Sequence, residues 1–163
     1  MRGPSPPLFR LVVQLLPSAA AMCLLAGNVI AGELDVDQII DDRQRNLRDM
    51  GAAYKAITDE LKRPKPSLIE IAHYASSLQE VAASQQQWFP AGSGVESGIK
   101  TAAKAEIWSQ PAEFAKWERD LSAAIAQLVK VMAGQDIEIV RHQHEQLGKV
   151  CAGCHKTFRA KDD

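Results

Sequence analysis

Cys151 and Cys154 stand three residues apart, and His155 follows the second of them directly. On a helix, positions three and four apart share a face. Two sulfurs so placed can address one partner from one side while the imidazole rises beside them. Four kinds of chemistry suit such thiols. They could close a short disulfide, act as a redox dithiol, hold half of a zinc site, or bond to the two vinyl groups along one edge of a porphyrin.

The setting separates these options. A redox Cys-x-x-Cys opens a helix after a strand, whereas this one falls near the end of a helical pattern in a chain without strand alternation. Structural zinc needs four ligands, and the candidates His142 and His144 lie two turns back. A plain disulfide leaves His155 without a role. Cys-x-x-Cys-His is instead the signature of c-type haem attachment. The expected cofactor is one covalent haem c, bound through Cys151 and Cys154, with His155 as the proximal iron ligand.

Four segments with heptad spacing must position that group. The first runs from about Asp35 to Lys62, with a seam of Val36, Ile40, Arg43, Leu47, Met50, Tyr54, Ile57 and Leu61. The second opens after Pro64 and Pro66 on a Ser67-x-x-Glu70 capping box and fades near Gln87. The third has Pro111 in its first turn, a seam through Phe114, Trp117, Leu121, Ala124, Leu128 and Val131, and Gly134 at its end. The fourth starts at Asp136 and carries Ile137, Val140, His144, Leu147, Cys151, Cys154 and Phe158 inward. Short links between four helices predict an all-α, antiparallel up-down-up-down bundle around one covalent haem. The one long connection is Trp88 to Gln110.

In that topology the end of helix four meets the start of helix one, the end of helix two and the start of helix three. Trp88, Phe89, Trp108, Phe114, Trp117 and Phe158 all fall at this end, where a wide flat ligand would sit; ordinary core packing is the plainer account. Arg43 occupies a seam position between Ile40 and Leu47. A buried guanidinium needs a partner, which a haem propionate would supply unless the side chain snorkels to water. Arg159 is one turn beyond His155, placed to reach the imidazole or a propionate, or simply to complement the helix C-terminus. His144 is about 16 Å along the axis from His155, too far for a second iron ligand, and reads as a hydrogen-bonded core histidine. His142 reads as solvent-facing, and His73 falls at the opposite end.

The 163 residues suit one domain, 46% hydrophobic and 24% charged. A net charge of −1 gives no sign of a nucleic-acid partner or a polybasic membrane patch. Residues 1–31 differ in kind: Arg2 and Arg10 precede an uncharged run from Leu11 to Ala31 that ends Val29-Ile30-Ala31. This reads as a secretory signal peptide cleaved before Gly32, leaving no stable membrane anchor and a mature domain of residues 32–163. A retained anchor is the alternative, since the run is about long enough to span. Cleavage removes Arg2 and Arg10, taking the formal charge from −1 to −3, and removes Cys23. The expected location is the periplasm.

Three stretches together resemble the class II c-type cytochromes, the cytochrome c-prime family. They are Arg43-Gln44-x-x-Leu47-x-x-Met50, Phe89-Pro90-Ala91-Gly92-Ser93 with Glu106-Ile107-Trp108, and Cys151-x-x-Cys154-His155-x-x-Phe158-Arg159. The resemblance implies that Arg43 and Gln44 lie against the haem and that Leu47 covers its distal face. Leucine cannot ligate iron, so a five-coordinate haem able to admit nitric oxide or carbon monoxide is implied, with Met50 as the alternative ligand of a low-spin carrier. It also implies a homodimer. Function then divides between an electron carrier and a gas-binding protein, with an unnamed redox partner. A haem-free structural bundle or thiol protein is the reading from another class. No serine–histidine–acid group, phosphate loop or distal acid–base residue points to an enzyme.

Overall fold

The computed structural model describes residues 35–161, together with Gly3. Residues 35–161 belong to one compact unit. The expected signal peptide lies outside the described residues, Gly3 apart.

Helix α1 spans Val36–Leu61, and the Asp35 carboxylate caps it by accepting from the Gln38 N–H at 3.2 Å. Helix α2 spans Leu68–Ala82. The short α3 covers Glu106–Ser109 and leads into α4, Pro111–Val131, with its proline in the first turn. Helix α5 spans Ile137–Phe158, capped by Asp136. The four long helices fall where the heptad spacing puts them. The long connection is more structured than its composition suggested: it holds α3 and single 3₁₀ turns at Gln85–Gln87 and Val95–Ser97.

The expected capping box at α2 forms only in part. Ser67 Oγ accepts from the Glu70 N–H at 3.3 Å, but the Ser67 N–H donates to Glu60 Oε1 at 2.7 Å. Glu60, buried at the end of α1, also accepts from Arg63 Nη1 at 2.9 Å. These bonds, Ser67 first, hold its carboxyl below the usual carboxylate range. The tight turn thus lends α2 an acid from the preceding helix. Beyond α4, the left-handed residue is Gln135 (φ 54°), one position after the expected Gly134.

Helix α1 packs along α2, α4 along α5, and α2 against α4. Ile57, Leu61, Ile71, Leu78, Ile125, Leu128, Val140 and Leu147 are buried between them, each large side chain contributing about 1.5–3 kcal/mol. On α4 the buried position is Ile125 rather than the expected Ala124, because a straight helix drifts from a strict heptad and the larger side chain takes the inward site. Met50 belongs to this core and is 8% exposed.

The register of α1 against α5 is antiparallel. His144 Nε2 lies 3.2 Å from the Tyr54 carbonyl oxygen and 3.3 Å from Thr58 Oγ1, and its ring stacks on Tyr54 at 4.1 Å. Arg141 Nη1 donates to the Leu61 carbonyl at 2.9 Å. His144 is therefore the hydrogen-bonded core histidine its seam position suggested, while His142 and His73 are exposed. Continuing this register, in which one helix advances as the other retreats, brings Leu47 level with His155 and Arg43 level with Arg159.

Arg43 is 1% exposed. Its Nη1 donates to the Trp88 carbonyl at 3.3 Å and Ser93 Oγ at 3.0 Å, and its Nη2 to the Ser93 carbonyl and Thr101 Oγ1, each at 2.9 Å. The guanidinium also lies 4.9 Å from the centre of the Phe89 ring. Burial was expected and snorkelling does not occur; loop groups take up the hydrogen bonds of both Nη atoms. Gln44 Nε2 adds a bond to the Lys100 carbonyl at 2.9 Å. The loop is tied to the C-terminus as well: Lys104 N donates to the Phe158 carbonyl at 3.0 Å and Ala160 N to the Ala102 carbonyl at 2.8 Å. Among the described residues, no buried side-chain nitrogen or oxygen lacks a partner.

Two outcomes follow for stability. Arg43→Ala strands buried loop acceptors, and equilibrium denaturation should show a loss of about 3–5 kcal/mol; a loss below about 1 kcal/mol would mean that the loop does not depend on this anchor. Burial holds the His144 imidazole below its ordinary value. The unfolded chain then binds the extra proton first, so the contribution of neutral His144 is complete above about pH 6.5 and is lost as pH falls below it. Melting temperature should drop between pH 7 and pH 5.5, and His144→Gln should flatten that slope. An unaltered slope in the variant assigns the effect to other groups.

Candidate haem site

The last two turns of α5 carry Cys151, Cys154, His155 and Phe158. Cys151 packs against the hydrophobic core, and both cysteines are half-buried free thiols. Burial raises the Cys151 thiol above its ordinary value. Burial first, then the neighbouring Cys151 and Glu118, pushes Cys154 up to about 11. Thiols this reluctant to ionise are weak nucleophiles at neutral pH. They do not suit a redox dithiol, which relies on a lowered pKa. Among the described residues, no three His, Cys, Asp or Glu side chains gather closely enough to hold a metal ion, so the zinc option has no ligand set to draw on.

His155 is exposed and turned toward the α1 side of the helix. Loss of water, then the nearby charge of Arg159, holds its imidazole below the ordinary value. It therefore presents a neutral nitrogen at neutral pH, the form that ligates iron. His155, Arg159, Ala160 and Lys161 line a cleft of about 250 Å³. Arg159 thus borders the imidazole, as its place one turn on allowed.

Across from His155 the α1 seam breaks. Leu47 is 41% exposed, although Ile40 and Arg43 before it and Met50 after it are buried. The hydrogen bonds between α1 and α5 at Tyr54, Thr58 and Leu61 lie on the far side of Leu47 from the N-terminus of α1. An exposed seam leucine level with an imidazole and two half-buried thiols is a surface that a flat apolar group would cover. The residues present fit a covalent porphyrin.

The aromatic residues gather as expected at this end. Phe89 meets Phe114 edge-on at 4.9 Å and Trp108 at 6.4 Å, and Phe114 meets Phe158 at 5.2 Å. Trp88 is buried, and Trp108 Nε1 donates to the Phe89 and Pro90 carbonyls, each at 3.1 Å. The sequence reading missed Ser93 and Thr101 as the oxygen partners of Arg43, and Glu118 as the carboxylate beside Cys154. Ser93 carried a signal, since Phe89-Pro90-Ala91-Gly92-Ser93 is a turn-forming run opposite a buried cation. Glu118 carried none.

The family described as Cytochrome C' matches residues 38–159. Cytochrome c' from Pararhodospirillum photometricum is 31% identical over 121 residues, covering 74% of this chain and 94% of that protein. Two solved structures share the fold. One, a cytochrome c' with ligand-controlled dimer dissociation, has a TM-score of 0.72 at 24% identity over 79% of this chain and 99% of that one. The other is a ferrous variant of the Alcaligenes xylosoxidans protein with bound NO. It has a TM-score of 0.71 at 21% identity over 80% and 99% of the two chains. A match running from α1 through the Cys-x-x-Cys-His turn places this chain in the cytochrome c' family, the class II c-type cytochromes that carry one covalent haem c.

Proposed function

We propose that this chain is a periplasmic monohaem electron carrier whose haem is five-coordinate and admits small neutral gases such as nitric oxide and carbon monoxide. The observation that supports this most directly is Leu47. It is the exposed seam residue level with His155, and it has no atom that can bind iron. Bound in place, the haem would supply a redox-active iron held by His155.

The remaining chemistry belongs to this chain's own residues. Cys151 and Cys154 hold the group covalently, and His155 provides the proximal nitrogen. Leu47 excludes water from the opposite side and offers no hydrogen-bond donor, which disfavours retention of oxygen. Arg43, Gln44 and Arg159 border the haem. Both Nη atoms of Arg43 are already engaged by the loop, so its role toward a propionate is one of charge rather than of paired hydrogen bonds. The alternative, a low-spin carrier ligated by Met50, is disfavoured because that side chain is committed to the core.

The NO-bound relative and the relative with ligand-controlled dimers support gas uptake and a homodimer here as well. Residues 1–31 act as a cleaved export signal, and no helix of the described residues is long and apolar enough to cross a membrane. On this reading the chain's role is electron carriage and gas uptake rather than catalysis. The redox partner is a protein of the same compartment.

Protein made alongside cytochrome maturation machinery should keep its haem on a denaturing gel. The chain should weigh one haem more than the processed polypeptide. The reduced visible spectrum should be broad and high-spin and should shift on adding carbon monoxide. A narrow, split low-spin α band with no carbon monoxide shift would overturn the five-coordinate reading, and a colourless chain of bare mass would remove the haem altogether.

Two variants separate the candidate ligands. Met50→Leu should leave the spectrum unchanged, with a stability change below about 1.5 kcal/mol for a volume-conserving swap. Leu47→Met should bring a thioether into reach and convert the spectrum to low-spin. Conversion of a low-spin wild type to high-spin by Met50→Leu would instead identify Met50 as the ligand.

A further inference from the structure

Two glycines on α5 bracket the first haem-bearing cysteine, and each receives an aromatic ring from a different helix. A Cβ placed on Gly148 would lie 2.3 Å from Tyr54 Oη of α1. A Cβ on Gly153 would lie 2.2 Å from Trp117 Cη2, 2.7 Å from its Cζ3 and 3.1 Å from its Cζ2, all on the indole of α4. The 2.2, 2.3 and 2.7 Å approaches are closer than a Cβ comes to its non-bonded neighbours. The Trp117 atoms belong to a rigid ring, and Lys116 Nζ lies 5.3 Å from its centre. Gly51 on α1, by contrast, has open space around it.

Gly153 sits between Cys151 and Cys154, so Trp117 bears on the haem-attaching turn itself. Successive helical residues turn by about 100°, which puts Cys151 and His155 each about 160° around from Gly153. Any displacement of this turn away from Trp117 therefore carries His155 toward α1 and Leu47. Tyr54 holds α5 one turn before Cys151, and the α1–α5 hydrogen bonds end there. At the turn itself α4 also presents Phe114 to Phe158 and Glu118 to Cys154, but the indole is the rigid group seated directly on its backbone, at Gly153.

We propose that Trp117 is a positioning residue. Its indole, seated on Gly153, sets the rotation and depth of the Cys151–His155 turn and with them the haem plane and the space between His155 and Leu47. The inference rests on covalent haem at this turn, and only its gas readout rests on the open coordination position.

The test uses the haem-loaded protein in wild-type form and as Gly153→Ala, Trp117→Leu, Gly153→Ala with Trp117→Leu, and Gly51→Ala. Ferric electron paramagnetic resonance reads the haem environment whether or not a gas binds, and carbon monoxide titration reads the distal space. Gly153→Ala should shift the ferric g-values and weaken carbon monoxide binding roughly tenfold, the scale that overpacking strain produces. Trp117→Leu alone should broaden the ferric signal, because the turn loses its stop. The double variant should return to within roughly twofold of wild-type affinity, and Gly51→Ala should match wild type throughout.

Wild-type g-values in Gly153→Ala, or a shift that Trp117→Leu does not relieve, would overturn the proposal. Failure of Gly153→Ala to yield folded haem protein, with recovery in the double variant, supports it; failure of both overturns it. A wild type that binds no carbon monoxide defeats the five-coordinate reading alone, and the ferric signals still decide the role of Trp117.

Discussion

A guanidinium removed from water must be surrounded by oxygen, and Arg43 is 1% exposed in the middle of an apolar seam. The architecture of the haem end follows from that constraint. The loop after α2 folds back so that Trp88 and Ser93 carbonyls and the Ser93 and Thr101 hydroxyls converge on one side chain. Once held there, the loop brings Phe89 under the cation and into contact with Phe114 and Trp108. The same loop then pairs with the chain beyond Phe158. One buried charge thus joins α1, the loop, α4 and the end of α5 around the cofactor's position.

The opposite half of the bundle does different work. There α1 and α5 are joined through His144, Tyr54, Thr58, Arg141 and Leu61. Those contacts fix the antiparallel register. Direct α1–α5 hydrogen bonds at one end, and helices tied through the loop at the other, suit a bundle in which a flat group must lie between two of its members. A seam filled with contacts along its whole length would leave no face for the porphyrin.

Much of this was legible in the sequence, because heptad spacing and capping residues act locally. Asp35, Ser67, Pro111 and Asp136 mark helix starts to within a residue. The five-residue motif specifies its own chemistry, and a lone arginine in a seam announces burial. What failed to show depends on groups distant in the chain. Glu60 displaces Glu70 as the acceptor for Ser67 because the α1–α2 turn is tight enough to bring the preceding helix within reach. Ser93 and Thr101 meet Arg43 only after the loop has folded. The fit of Trp117 to Gly153 depends on how α4 lies on α5, which no local pattern encodes. Spacing likewise cannot say which seam position stays uncovered, so Leu47 and Met50 look alike in the heptad.

Leu47 and Met50 differ in what faces them rather than in hydrophobicity. Both are apolar, both lie on the inward side of α1, and they are separated by one helical turn. Met50 is enclosed by core side chains, and extracting it to reach an iron would open a cavity in well-packed surroundings at about 2–5 kcal/mol, the range for emptying a large core site. Leu47 meets nothing comparable and stands 41% exposed. The packing that stabilises the bundle thus holds the Met50 thioether in the core, while the exposed Leu47 side chain has no donor atom. The proposed open site would then be a product of placement: the fold commits the Met50 thioether to the core and leaves the Leu47 hydrocarbon exposed at the level of His155.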